Sequence, residues 1–456
     1  MNVAAPTSTP VASRLAAFAA TSSPSAAAAA VCSRLVFDVI ALAIAARDTD
    51  YVRAALCSAV DEGSCTAFGH SKGLGLYDAA LVNGTAAHGE DYDDTFEGGP
   101  IHAGAVIVSA VLAIAEKRGL DGRAVMRGIA VGTELMCRMS LVAPQATHKA
   151  SFHPTAIFGA PAAAAAVGAA LGLDATTIAR ALGISGSLAS GIIEYLADGS
   201  STKRLHAGAA AQAGLRAALM AEGGFIGPLT VFEGVNGIYK AFAPSKVPDF
   251  SRLLDGLGED WILETLAFKP YACGTMTQPF IDCAKKLAAS GVKAEDIVSI
   301  TCNVGEGTVH RLWEPLAEKH RPPNGYAGKF STPFCLAVGF IDGEAGLGQF
   351  TDERVRDPAV RALAAKVSYE IDPNDPYPRN FTGHLKAVLK DGTVREFHQP
   401  HMRGGAQEPL PDSELLSKFE ANLRFGGFSG GAIEALRKGL DRLADGGRVD
   451  LSAARA

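Results

Sequence analysis

The sequence predicts a mainly α fold: a large all-helical domain with an inserted smaller α+β domain. Three observations predict it. Apolar residues recur at helical spacing through residues 1–265, strict alternation and strand-like runs flanking a turn dipeptide appear within 266–400, and the helical period returns in 401–456. The 456-residue length agrees, because single cores usually stop growing below that size. The chain holds 50 Gly and only 7% aromatics. Small side chains let helix backbones approach, so this mix suits closely packed helices.

Each element has its own signal. In "AAVCSRLVFDVIALAIAA", Val31, Leu35, Val39 and Leu42 form a helical stripe, with Arg34 and Asp38 off it. Similar runs are "AGAVIVSAVLAIAEKRG", "GRAVMRGIAVGTELMCRMS" and "GAAAQAGLRAALMAEGG", each expected to close near a Gly. "TAIFGAPAAAAAVGAALGL", Thr155–Leu173, has the length of a membrane span. It is mostly Ala and Gly and carries Pro161, so a buried helix is expected instead. "DIVSITCNV" alternates, with Val298, Ile300, Cys302 and Val304 facing one way and Ser299, Thr301 and Asn303 the other. "HLKAVLKDGTVREFH" is two strand-like runs around Asp391-Gly392, a strong hairpin signal. Ile433, Leu436, Leu440 and Leu443 restore the helical spacing near the end.

Composition excludes several function classes. A net charge of −6 gives no footprint for nucleic acid, and no Lys/Arg run suggests an anionic membrane. No GxGxxG follows a strand and no GxxxxGK[ST] occurs, so nucleotide cradling has no support. The start lacks a basic n-region followed by a continuous apolar run, so no signal peptide is expected. Eight scattered cysteines without CxxC pairs read as reduced, mostly buried thiols of a cytoplasmic protein.

Four islands carry the chemistry. "AAHGEDYDDTFEGGPIHAGAVIV" packs His88, Glu90, Asp91, Asp93, Asp94, Glu97 and His102 into fifteen positions just before an apolar run. In "SFHPTAIFG", His153 precedes a proline, which pushes it from α geometry and stands its ring at a helix entrance. "DGSSTKRLHAG" sets Lys203 after Ser200, Ser201 and Thr202, where hydroxyls, helix-start N–H groups and an ammonium suit a carboxylate or phosphate. "FKPYACGTMTQPF" places Lys269 and Tyr271 at the expected domain boundary. Each island also has a structural reading. The aspartates can cap helices or face solvent, His88, His102, His153 and His206 can be core histidines, and Lys203 and Arg204 can be surface charges. Two other chemistries enter as rivals. "DDTFE" fits a magnesium-binding DDxxE string but has no second acidic motif, and His88, Asp91 and His102 lack HxH or HxxxH spacing for a transition metal. No metal is expected.

In this order, "NGTAAHGEDYDDT", "FHPTAIFGAPAAAAA", "STKRLHAGAAAQAG", "FKPYACGTMTQPFIDCA" and "RGGAQEPLPDSELLSKF" resemble the MmgE/PrpD family over nearly the whole chain. That family includes 2-methylcitrate dehydratase, cis-aconitate decarboxylase and iminodisuccinate epimerase. The resemblance implies a helical domain with an α+β lid, a pocket between them, a homodimer, no cofactor and a small di- or tricarboxylate substrate. Asp91 and Thr95 match the family's D-x-D-D-T pocket positions. His102 matches the following histidine, with one extra residue in "FEGGPIH". His153, Lys203 and Lys269 match further motif positions.

Such chemistry removes a proton beside a carboxylate, a poor acid whose carbanion-like transition state needs electrostatic support. Lys203 and Lys269 suit carboxylate clamping, and His102 or His153 suits the base. Asp91 is expected to orient a histidine. Thr95, Tyr271, Gln278, Ser201 and Thr202 are expected to bind substrate. Many members carry a histidine after the boundary lysine; here Gln278 or Gly274 stands instead, and Gln cannot shuttle a proton. That departure weighs against a 2-methylcitrate dehydratase; a lyase, either dehydratase or decarboxylase, stands first, with an epimerase or isomerase and a non-catalytic carboxylate-binding protein as alternatives.

Overall fold

The computed structural model describes residues 9–455. The chain divides into two compact units. The first takes residues up to Gly89, Asp93–Leu266 and Phe419 onward, and the second takes Glu90–Tyr92 and Ala267–Lys418.

The first unit is helical except for a short antiparallel pair, Glu62–Thr66 with Gly73–Leu74, which departs from the all-helical expectation. Pro154–Leu171 lies at its centre, buried along nearly its whole length, and packs on Gly122–Val142 and Thr202–Glu222. Ala and Gly make these approaches possible: a Cβ on Gly132 would sit 2.6 Å from the Ala166 Cβ. Leu76–His88 packs equally closely on Thr202–Glu222 where Gly84 faces Gly208. Side-chain caps fix several starts, with Ser25 accepting from the Ala28 amide and Asp121 from that of Ala124. Ala26–Ala45 and Pro154–Leu171 are long and apolar enough to cross a membrane by composition, and 67% and 94% of their apolar windows are buried inside the protein. Ile433, Leu436, Leu440 and Leu443 are buried on Gly430–Ala444, as their spacing predicts.

Two local expectations need correction. Gly122–Val142 closes at Ala143, in a non-helical conformation, rather than at a glycine. Asp38, placed off the apolar stripe of Ala26–Ala45, is buried nonetheless, because that helix is enclosed on most sides along its second half.

The second unit holds a four-stranded sheet in the order Val367–Ile371, Ile297–Val304, Gly383–Leu389, Val394–Gln399. The first pair is parallel and the other two antiparallel. The Gln278–Ala289 helix packs on the last two strands and on the Thr332–Asp342 helix. The hairpin turns at Asp391-Gly392 as expected, with Gly392 at φ +84° and the Asp391 carboxylate accepting from the Thr393 amide. Ile300, Cys302 and Val304 share the buried face, but Val298 is exposed and Ile297 buried in its place. A register shift between Ile297 and Ser299 displaces the alternation by one residue there.

Candidate active site

The crowded stretch from His88 to His102 divides between the units, and each part has its own partners. In the helical unit, His88 closes the Leu76–His88 helix and His102 is the residue before the Ala103–Arg118 helix. Asp94 caps that second helix from outside it. Its two carboxylate oxygens accept from the Ala103 and Gly104 amides at 3.0 and 2.9 Å. The same residue's carbonyl oxygen lies 2.7 Å from Nδ1 of His102. A carbonyl only accepts, so Nδ1 carries the proton and Nε2 keeps its lone pair. The His102 amide is held by Thr155 Oγ1 at 3.2 Å. This ring therefore presents a fixed base nitrogen, and its side chain is 12% exposed.

Asp93 lies between two histidines. One of its oxygens is 2.7 Å from His88 Nδ1 and the other 3.7 Å from His102 Nδ1. His88 Nε2 is buried and has no hydrogen-bond partner among the described residues. The His88 ring stacks on His153 at 5.8 Å and meets His102 at 4.9 Å between centroids. His153 stands at the entrance of Pro154–Leu171 in extended geometry, as its proline predicts, and its Nδ1 is 3.1 Å from that of His206.

Charge and burial sort these groups. Burial drives the His153 ring well below the usual histidine range, and the positive fields of His88, Lys203, His206 and His102 add to this. His206 falls to about 4 for the same leading reason, with His88 and Lys203 adding. Asp94 is pushed up to about 7 by burial and then by Asp93 and Asp38, against the pull of its two amide bonds. His153 and His206 are thus neutral near pH 7 and too weakly basic to compete for a proton. His102 is left as the better-placed base.

Lys203 lies on the first turn of Thr202–Glu222, close enough for its charge to act on both His153 and His206. Ser201 and Thr202 are exposed at that helix start, and Ser201 Oγ accepts from Arg204 at 3.1 Å. Thr95 is buried directly after Asp94.

In the second unit, Asp91 sits at φ +54°, a left-handed conformation. Its carbonyl accepts from Lys269 Nζ at 2.9 Å, and its carboxylate accepts from Tyr326 at 3.2 Å. Lys269 is buried, and no carboxylate of the described residues lies within ion-pair distance of it. Tyr271 and Gln278 turn into this unit's own interior. The Tyr271 hydroxyl donates to Asp282 at 2.6 Å, and Gln278 Nε2 donates to the Tyr271 and Cys273 carbonyls at 3.3 and 3.2 Å.

The rival readings meet this geometry differently. Asp93 and Asp94, the paired acids of "DDTFE", are fully buried against a histidine and helix amides, which leaves no shared outward face for magnesium. A metal triad is spatially available, but with Asp93 in place of Asp91: atoms of His88, Asp93 and His102 lie within 4.8 Å of one another. Both ring Nδ1 atoms already point at oxygens, so a cation held through those two atoms would have to displace both bonds.

Residues 12–251 match the MmgE/PrpD N-terminal domain, and residues 271–434 match the MmgE/PrpD C-terminal domain. The chain belongs to the MmgE/PrpD family. It is 28% identical over 449 residues to the cis-aconitate decarboxylase of Aspergillus terreus, covering 90% of this chain and 88% of that one. The cis-aconitate decarboxylases of Mus musculus and Homo sapiens are each 28% identical, over 359 and 354 residues. Both alignments cover 75% of this chain, and 71% and 72% of those enzymes.

In this MmgE/PrpD chain several side chains at the site escaped sequence reasoning. Asp93, rather than the Asp91 singled out beforehand, is the carboxylate seen against His88 and His102. His206 follows Lys203 by three positions, which puts both on one helix face, and that spacing was the available signal. Tyr326 reaches Asp91 across 235 positions of sequence, and nothing local announces it.

Proposed function

We propose that this protein is a cofactor-independent lyase that decarboxylates cis-aconitate or a small carboxylic acid of closely similar shape. The observation that carries the reading is His102, whose Nδ1 is locked on the Asp94 carbonyl and whose ring lies against His88 and His153, within the group that the Lys203 charge also reaches. The names of three relatives aligned over most of the chain support the same reaction.

The chemistry asks for little more. The carboxyl carbon leaves as carbon dioxide, and the electron pair of the broken C–C bond shifts toward the adjacent double bond. One proton is then delivered to the carbon where negative charge has collected. His102 is the group for that transfer: Nε2 first takes a proton from solvent, the Asp93 carboxylate offsets the positive charge this puts on the ring, and the ring returns to neutral as the proton passes to carbon. Lys203 binds a substrate carboxylate and stabilises the developing carbanion; the family resemblance gives Lys269 the same role. Thr95, Ser201 and Thr202 remain candidate donors to substrate oxygens.

Decarboxylation is favoured over dehydration by Gln278. Losing hydroxide requires an acid on the leaving oxygen, whereas carbon dioxide departs without one. An amide bonded to two backbone carbonyls is no acid. The resemblance also brings a homodimer into this reading, and the scattered unpaired cysteines a cytoplasmic location.

The test is a panel of small di- and tricarboxylates given to purified, EDTA-treated protein. Carbon dioxide evolved from one acid with a new vinyl product supports the reading. Water loss instead identifies a dehydratase, and C–H exchange without mass loss identifies an epimerase or isomerase. Binding without any turnover would overturn the catalytic assignment.

A further inference from the structure

Three lysines far apart in sequence converge on three consecutive carbonyls of the second unit. Lys329 Nζ donates to the Glu90 carbonyl at 2.6 Å, Lys269 to that of Asp91 at 2.9 Å and Lys418 to that of Tyr92 at 2.8 Å. All three are buried, at 1%, 1% and 7% exposure. A buried ammonium is costly unless its charge is compensated. Two of the three are compensated by the residue whose carbonyl they hold. Lys329 forms an ion pair with the Glu90 carboxylate at 2.5 Å, and Lys418 sits 4.1 Å over the Tyr92 ring. Lys269 has no such partner among the described residues, which leaves its charge for a bound anion.

Asp91, the middle residue, is held at φ +54°. Left-handed geometry costs a non-glycine residue about 1–2 kcal/mol and persists only where the surroundings over-determine it. A carbonyl fixed on either side, and a third on Asp91 itself, is such an over-determination. The carboxylate, bonded to Tyr326, then has one orientation rather than several.

We propose that Lys329 and Lys418 are positioning residues that, through the Glu90 and Tyr92 carbonyls, hold Asp91 in the conformation in which its carboxylate serves the substrate. The peptide clamp stands on this geometry alone; its link to substrate rests on the lyase reading above.

The test compares Lys329→Met, Lys418→Met and Lys418→Arg with wild type in the full-length protein. Hydrogen exchange of a peptide spanning residues 88–95 is read together with kcat and KM per folded molecule. Both Met variants are expected to speed exchange in 88–95 at least tenfold while Pro154–Leu171 stays protected, and to lower kcat at least tenfold. Lys418→Arg, which still donates and still stacks on Tyr92, is expected to restore both. Unchanged exchange in 88–95 overturns the clamp. Faster exchange everywhere with unchanged kcat and KM reduces the lysines to a general stabilising role and overturns positioning. Should wild type turn over no acid, the lyase reading fails by itself, and exchange still decides the clamp.

Discussion

Replacing Gly208 with alanine is expected to destabilise the protein by about 2 kcal/mol, although the same change in a helix interior normally stabilises by about 1 kcal/mol. Gly208 lies within Thr202–Glu222 and faces Leu76–His88. A Cβ there would stand 2.0 Å from the Leu81 carbonyl oxygen and 2.5 Å from Thr85 Oγ1. The nearer atom is backbone, so no rotamer change relieves it. Bringing that contact to 3 Å means parting two packed helices by about 1 Å. Overpacking of this kind costs about 1–3 kcal/mol, and lost dispersion along the seam adds to it. The same displacement carries Lys203 and His206 away from His88, so turnover is expected to fall with stability. Urea unfolding of Gly208→Ala is to be compared with that of Gly439→Ala, whose added Cβ meets nothing closer than 3.8 Å. The control is expected to gain about 1 kcal/mol from helix propensity. Equal stability of the two variants would refute the close helix contact on which the histidine arrangement depends.

Stability is expected to depend on acid with a definite sign. His206 titrates at about 4 when folded and about 6.5 when unfolded, so the unfolded chain takes up its proton first as pH falls. Stability is therefore lost between about pH 6.5 and 4, on the order of 3 kcal/mol, and His153 adds to the loss. Asp94, raised to about 7, works in the opposite sense over the same interval, because the folded state holds the proton more tightly. Melting temperatures of Asp94→Asn are thus expected to fall more steeply than those of wild type between pH 7 and 4; parallel curves would count against the buried acid. Thiol labelling of native protein is expected to modify Cys57 rapidly and the other seven cysteines only after unfolding, since those seven are buried. Two or more fast thiols in native protein would contradict that packing. His102→Ala is expected to lower kcat by roughly 100-fold or more, the usual scale for a lost proton-transfer group.

Much of the architecture could be read from pattern because its causes are local. Helical stripes, the His153-Pro154 entrance and the Asp391-Gly392 turn each follow from a few adjacent residues. Val298 escaped because a register shift, set by the partner strand, moves it off the buried face. The site was legible in its parts and not in its wiring. Sequence supplied His102 and His153 as equal candidates for the base; the Asp94 carbonyl and the burial of His153 separate them, and neither leaves a mark on spacing. Lys329 and Lys418 lie 239 and 326 positions from the carbonyls they hold, and in the sequence they look like any other lysines.

Everything above turns on proton transfer by His102 in a decarboxylation that needs no added cofactor. The measurement that tests it most directly is proton NMR of EDTA-treated wild type and His102→Ala with cis-aconitate in D2O. Wild type is expected to convert the acid to a vinyl product carrying one deuterium at the carbon that receives the proton. The variant, folded and still binding the acid, is expected to be almost inactive. Undiminished turnover by His102→Ala, or wild-type turnover that stops with EDTA and returns with a metal ion, would contradict it.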